Sequence, residues 1–219
     1  MNAPIIQLLV LAGIAIFLIL RLKNVLGTRE GFEKPVLPKT ADTASQRPDF
    51  EVIEGGPDRD IIDHVAEGSP AAKALAAMKA AEPSFNVGEF LQGARGAYEM
   101  ILMGFERGEM AEIKPFLGDE VYQTFAEVVE ARHAQGLTIE AEFVGLREMS
   151  LEDAVFEEAT GRAILDVRFT GELTSIVRDN EGDIIEGRDG KVKRQRDVWS
   201  FERHMGADDP NWILVATGE

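Results

Sequence analysis

Residues 85–107 read FNVGEFLQGARGAYEMILMGFER, and the fold turns on them. Asn86 is a candidate N-cap, because its short side chain can accept a hydrogen bond from an N–H at a helix start. Glu89 completes a capping-box-like pair, and Phe85 and Phe90 stand where a hydrophobic staple forms. Phe90, Ala94, Ala97, Ile101 and Phe105 then recur every three or four residues, with Leu91, Tyr98 and Leu102 widening the stripe. The pattern predicts a long helix that buries one face and ends near Gly104–Gly108. Gly93 and Gly96 cost such a helix stability, and their expected use is the close approach of another element.

Downstream, a short helix is predicted around Met110–Ile113, before Pro115. A third runs from Asp119 to about Ala134, burying Val121, Tyr122, Phe125, Val128 and Val129, with Gly136 as its stop. The apolar period then changes to two. Ile139, Ala141 and Phe143 alternate, and Gly145 is a candidate bulge. Residues 151–158 read either as more strand, through Val155 and Phe156, or as a helical turn. Ala163, Leu165, Val167, Phe169, Gly171 and Leu173 define one face of a long strand. Turns are predicted at Asp179–Gly182 and Arg188–Gly190, a third long strand around Val198–Phe201, and a last one over Trp212–Thr217. Helices first and antiparallel strands afterwards predict an α+β domain, with helices on one face of a curved sheet.

Upstream, the Ala-rich stretch 70–83 favours helix on propensity alone, but Leu75 and Met78 make a thin apolar face. It reads as a helix that leads into the domain or packs loosely on it. Residues 23–69 hold no sustained apolar period. Pro35, Pro38, Pro48, Pro57, Gly55 and Gly56 give them the composition of a flexible linker. Residues 1–22 read as a transmembrane anchor: Ile5, Leu8, Leu9, Leu11, Ile14, Ile16, Phe17 and Ile19 lie in an uncharged run that Arg21 and Lys23 close. No basic residue precedes the run, as a cleaved signal would require. The flanking charges predict an outward amino end and an inward domain, by the positive-inside rule.

Of 219 residues 45% are hydrophobic, enough for a core and too little for several membrane spans. The net charge of −16 argues against nucleic acid as a partner. Residues 84–219 carry 28 Asp and Glu against 14 Lys and Arg, so the predicted domain is the acidic part. With no cysteine there is no disulfide, thiolate metal site or Cys nucleophile.

Catalysis needs convergent groups, and the sequence assembles none convincingly. His64, His133 and His204 are scattered and show no metal-ligand spacing. Nucleotide-loop and nucleophile-elbow patterns are missing. No catalytic residue, metal or cofactor is expected. Tyr98 and Asp197 are the best candidates should the domain be an enzyme. Trp199 and Phe201 share a strand face with Asp197, and Trp212 falls on the neighbouring strand. Their first reading is core. The second is an apolar pocket walled by Tyr98, Leu102, Phe105, Phe125, Phe169, Trp199, Phe201 and Trp212. One basic island, Arg188, Lys191, Lys193, Arg194 and Arg196, is read as a solubilising hairpin or as a contact for lipid headgroups.

Five ordered blocks carry a family resemblance: FLQGARGAYEMILMGFERGEM, LGDEVYQTF, GDIIEGRDG, DVWSFER and DPNWILVAT. The chain resembles the carboxy-terminal domain of the forty-four-kilodalton subunit of the mitochondrial inner-membrane import translocase. Within that family it is most similar to the short bacterial TimA-like membrane-anchored adaptors. The resemblance implies a cone-like fold similar to nuclear transport factor two, with helices and a curved antiparallel sheet around an apolar pocket. It implies a non-enzymatic adaptor at the cytoplasmic face of a bacterial inner membrane, with protein partners or clients and the lipid bilayer around the anchor. A module that binds lipid or a hydrophobic ligand is the alternative. Where the mitochondrial relative carries its chaperone-recruiting part, this chain has an anchor and a tether, which counts against chaperone recruitment.

Overall fold

The computed structural model describes residues 58–218. The predicted anchor, Ile5 to Ile19, and most of the predicted tether lie outside the described residues. Among the described residues no helix is long and apolar enough to cross a membrane.

Helix starts are set by side chains that satisfy orphan N–H groups. A short helix α1, Arg59–Ile62, is capped by Asp58. The next, α2, Pro70–Ala81, begins with the Ser69 hydroxyl accepting the Ala72 N–H at 3.0 Å and Pro70 in the first turn. The central helix α3, Val87–Arg107, begins as its sequence predicts: the Asn86 side chain accepts the Glu89 N–H at 2.9 Å. It ends at Gly108, whose left-handed backbone lets Glu109 N–H reach the Gly104 carbonyl at 2.7 Å. Helix α4, Met110–Ile113, and a 3₁₀ turn, Lys114–Phe116, lead to α5, Asp119–Ala134.

Four strands follow as an antiparallel meander in the order β1, Thr138–Glu157; β2, Arg162–Arg178; β3, Ile184–His204; β4, Ile213–Gly218. The α+β class therefore holds, with the helices packed on one sheet face. In β2 every second residue, Ala163, Leu165, Val167, Phe169, Gly171 and Leu173, is buried. The β1–β2 pairing shifts register three times, once at Gly145, and each shift bends the strand.

One open alternative is decided for strand, and three expectations are corrected. Residues 151–158 make no helical turn: β1 continues to Glu157, with Leu151 and Ala154 facing the core. The residues 188–190 do not separate two strands. Thr174 pairs with Val192 and Ile176 with Gly187, so residues 188–191 leave the ladder as a tab opposite Ser175. Gly187 carries a φ of +87°, and a Cβ there would strike the Ser175 carbonyl. Helix α2 packs firmly rather than loosely. Leu75 and Met78 are fully buried, and Ala71 and Ala72 between them let the backbone come close. Finally, Val128 is exposed, while Val121 and Val129 take the buried positions of α5.

The predicted linker also ends sooner than residue 69. Ile61 is buried in the core. The Asp60 carboxylate accepts the N–H groups of Val87 at 2.8 Å and Gly88 at 3.0 Å, while Lys79 pairs with it at 2.7 Å. Burial alone would raise the Asp60 carboxyl, but Lys79 and the two N–H groups outweigh it and hold it below its usual range. The segment before α2 is thus clasped to the start of α3.

Candidate functional site

Helix α3 crosses the sheet, and its two halves meet different surroundings. In the middle, Tyr98 is fully buried and stacks on Phe169 with ring centroids 4.4 Å apart. Trp199 lies 4.8 Å from Tyr98. The phenol donates to Asp197 Oδ2 at 2.6 Å, and Gln195 donates to the other carboxylate oxygen at 3.0 Å. Desolvation first, and then the Asp197 charge, push the Tyr98 phenol far above its usual value. It stays protonated and serves as a donor. Gly171 makes room for it: a Cβ there would sit 2.8 Å from the Tyr98 hydroxyl.

Toward its start the same helix borders an open groove of about 510 Å³. Phe90, Phe201, Phe116 and Trp212 form its aromatic floor and wall, and Met100 is exposed at the edge. Trp212 belongs here and not with the sealed rings. It lies 4.8 Å from Phe90 and 6.0 Å from Phe85, and joins Phe201 only through Phe90. Gly93 and Gly96 line the groove, and a Cβ on either would meet nothing within 4 Å. The close approach predicted for them is absent. It occurs instead at Gly104, where a Cβ would strike Ile113. In the groove the two glycines remove bulk from the helix wall.

One rim is held by charge. Arg203 Nη2 donates to both carboxylate oxygens of Glu82 at 2.8 and 2.7 Å, its Nε donates to the Asp209 carbonyl at 3.2 Å, and the guanidinium lies 6.0 Å over the Trp212 ring. The Gly206 N–H also donates to Glu82 at 2.9 Å. Burial raises the Glu82 carboxyl, but the Gly206 N–H and Arg203 prevail and hold it below its usual range. The loop that carries Trp212 is thereby tied to the end of α2.

The predicted pocket residues therefore divide. Tyr98, Leu102, Phe169 and Trp199 are sealed core; Phe201 and Trp212 reach the groove. Phe105 and Phe125 pair 4.4 Å apart beside α5, where Arg132 covers Phe105 at 4.5 Å. Phe85, Met100, Phe116 and Arg203 were missed by the sequence reading. Their available signal was Gly93 and Gly96, two bare positions on one flank of a helix otherwise rich in side chains.

Tyr98 and Asp197 do touch, and neither lines the groove. The three histidines lie apart: His64 after α1, His133 near the end of α5, His204 at the end of β3. Asp179, Glu181 and Asp183 come together at the β2–β3 turn, where Asp179 Oδ1 already accepts the Glu181 and Asp183 N–H groups at 3.0 and 2.9 Å. That is a self-satisfied turn. Of the basic island, Arg194 is spent on Glu172 at 3.2 Å, which Arg147 also holds at 2.8 Å. Arg188, Lys191, Lys193 and Arg196 are exposed.

A helical layer on an antiparallel meander, with an open aromatic groove beside α3, is the class of domain these residues build. The Tim44-like domain family matches residues 71–219, and the chain belongs to that family. It is 22% identical over 159 residues to the human mitochondrial import inner membrane translocase subunit TIM44. The match covers 71% of this chain and 35% of the human protein, so the chain spans about a third of that relative's length. The crystal structure of the intermembrane space region of the chloroplast protein ARC6 superposes with a TM-score of 0.40 and 11% identity. That superposition covers 58% of this chain and 94% of the other, and at this score it carries no inference.

Proposed function

We propose that the chain is a non-enzymatic, membrane-anchored adaptor in protein translocation, insertion or quality control. In this reading residues 1–22 hold it as a single pass in a bacterial inner membrane, with the folded domain on the cytoplasmic side. The domain takes apolar segments of protein partners into the groove beside α3, and the sheet bulges give it the cone-like curvature of its relatives. The single observation that carries the reading is the groove itself: aromatic, open, floored by Phe90 and Trp212, and kept free by Gly93 and Gly96. The domain's negative charge favours basic partners and speeds their encounter at low salt. Tyr98 is sealed in the core and held by the half-buried Asp197, which supports a structural use of this pair rather than a catalytic one. The groove's volume also suits a lipid chain or another hydrophobic ligand, which is the second reading.

Photocrosslinking from Met100 in native membranes tests this. Adducts with other polypeptides are expected, and a Gly93→Leu, Gly96→Leu pair that fills the groove should abolish them. Unchanged adducts in the filled variant would remove the groove from the mechanism. Lipid adducts alone would favour the second reading.

A further inference from the structure

Strand β3 leaves a gap in the edge of the sheet. On one side β2 pairs with it throughout residues 192–197, from Thr174 opposite Val192 to Phe169 opposite Asp197. On the other side β4 pairs with it only over Val198–Glu202. Antiparallel geometry points half of the backbone N–H and C=O groups of residues 192–197 away from β2. No backbone hydrogen bond from the described residues reaches them. The open run spans about 20 Å, at roughly 3.3 Å per residue.

The cations along this gap alternate between faces. Lys193 stands opposite the buried Leu173, so it lies on the helix side of the sheet, where Glu106 of α3 draws on it. Arg194 stands opposite Glu172 and Arg196 opposite Thr170, on the outer side. All three are exposed, and Lys193 and Arg196 make no ion pair among the described residues. Asp197, at the β4 end, is taken by Tyr98 and Gln195. A flat partner meets one row of cations and misses the other. A partner that arrives edge-on, in the plane of the sheet, lies between both.

We propose that the free edge of β3, residues 192–197, binds an extended acidic segment of a partner protein as an added strand. The segment's N–H and C=O groups complete the open ladder, and its side chains emerge alternately on the two faces. Carboxylates on one face reach Arg196, and those on the other reach Lys193. Charge complementarity selects the occupant. Residues 188–196 carry five basic side chains against Asp189 alone, in a chain whose net charge is −16. The same cations repel the β3 edge of a second copy. Negative charge elsewhere on the domain is screened beyond about 8 Å at physiological salt. None of these residues lines the groove, and the edge needs none of the groove's partners.

The test uses the full chain in a non-ionic detergent and a short fluorescein-labelled peptide of threonine and glutamate. Its glutamates stand at adjacent positions, so both faces of the extended peptide carry charge. Fluorescence anisotropy should report binding that weakens as salt rises. The same peptide N-methylated throughout keeps its charges, cannot enter a ladder, and should not bind. Hydrogen exchange across residues 192–197 should slow when the unmodified peptide is added. Lys193→Gln and Arg196→Gln lie on opposite faces, and each should weaken binding roughly two- to five-fold while circular dichroism stays native. The absence of binding overturns the proposal, as does equal binding of the N-methylated peptide, which marks charge attraction alone. Unchanged exchange at 192–197 overturns it, and so does a loss confined to the variant on one face. Lost binding in the Gly93→Leu, Gly96→Leu chain would put the peptide in the groove instead. Self-association that slows exchange at 192–197 without peptide would give the edge to a second copy. Crosslinks from Met100 should persist in both charge variants, so this edge and the groove reading can fail separately.

Discussion

One helix supports two aromatic neighbourhoods built from similar residues and put to opposite uses. Around Tyr98, the rings of Phe169 and Trp199 close on one another, and the lone hydroxyl finds Asp197. Around Trp212, the rings of Phe85 and Phe90 leave a gap of about 510 Å³. Glycine decides between them. Gly171 admits the phenol and lets the sheet close against the helix, while Gly93 and Gly96 withhold side chains and keep the helix wall bare. The same missing Cβ seals one end and opens the other, because in one case a neighbour fills the space and in the other none does.

The sharpest way to break this comparison is to truncate one ring from each end. Phe169→Ala should cost about 3–5 kcal/mol, because a fully buried ring leaves a cavity that its neighbours cannot fill. Trp212→Ala, half-buried at the lip, should cost clearly less, while crosslinking from Met100 disappears. Denaturant melts of both variants would decide it, and equal losses would mean that Trp212 is core.

A smaller effect belongs to the rim. Glu82→Gln leaves Arg203 without its charged partner and should cost about 1–2 kcal/mol, a charge-assisted pair discounted for its partial exposure. The sign with pH follows from the lowered carboxyl. The Glu82 contribution is complete above its unfolded value of 4.5 and is lost as pH falls from there through the lower folded value. The gap between wild type and variant should therefore close in acid. A gap that widens below that pH would reverse the assignment.

The smallest expected change has the opposite sign. Gly96→Ala, exposed and clear of every neighbour, should stabilise α3 by about 0.5–1 kcal/mol. Gly171→Ala, one ring away, should destabilise. A thermal melt that shows both shifting in the same direction would erase the contrast.

Local signals were legible where the physics is local. Asn86 announced the start of α3, and alternation from Ala163 to Leu173 gave β2 its buried face. What failed needed distant partners. Arg188-Asp189-Gly190 has turn chemistry, yet the long β2 opposite continues the ladder past it. The thin face of α2 looked too weak to pack, because small alanines count for little in a periodicity and for much in close approach. The aromatic list was right in kind but could not be divided into sealed and open members, since that depends on which side of α3 each ring meets. Asp60 had no sequence signal at all, because the N–H groups it accepts lie 27 and 28 residues further on.

That clasp has a mechanical side. The Asp60 carboxylate is a rivet between the chain leading into the domain and the first turn of α3, just where the groove begins. Traction on the upstream chain is therefore delivered to the mouth of the groove before it reaches the sheet.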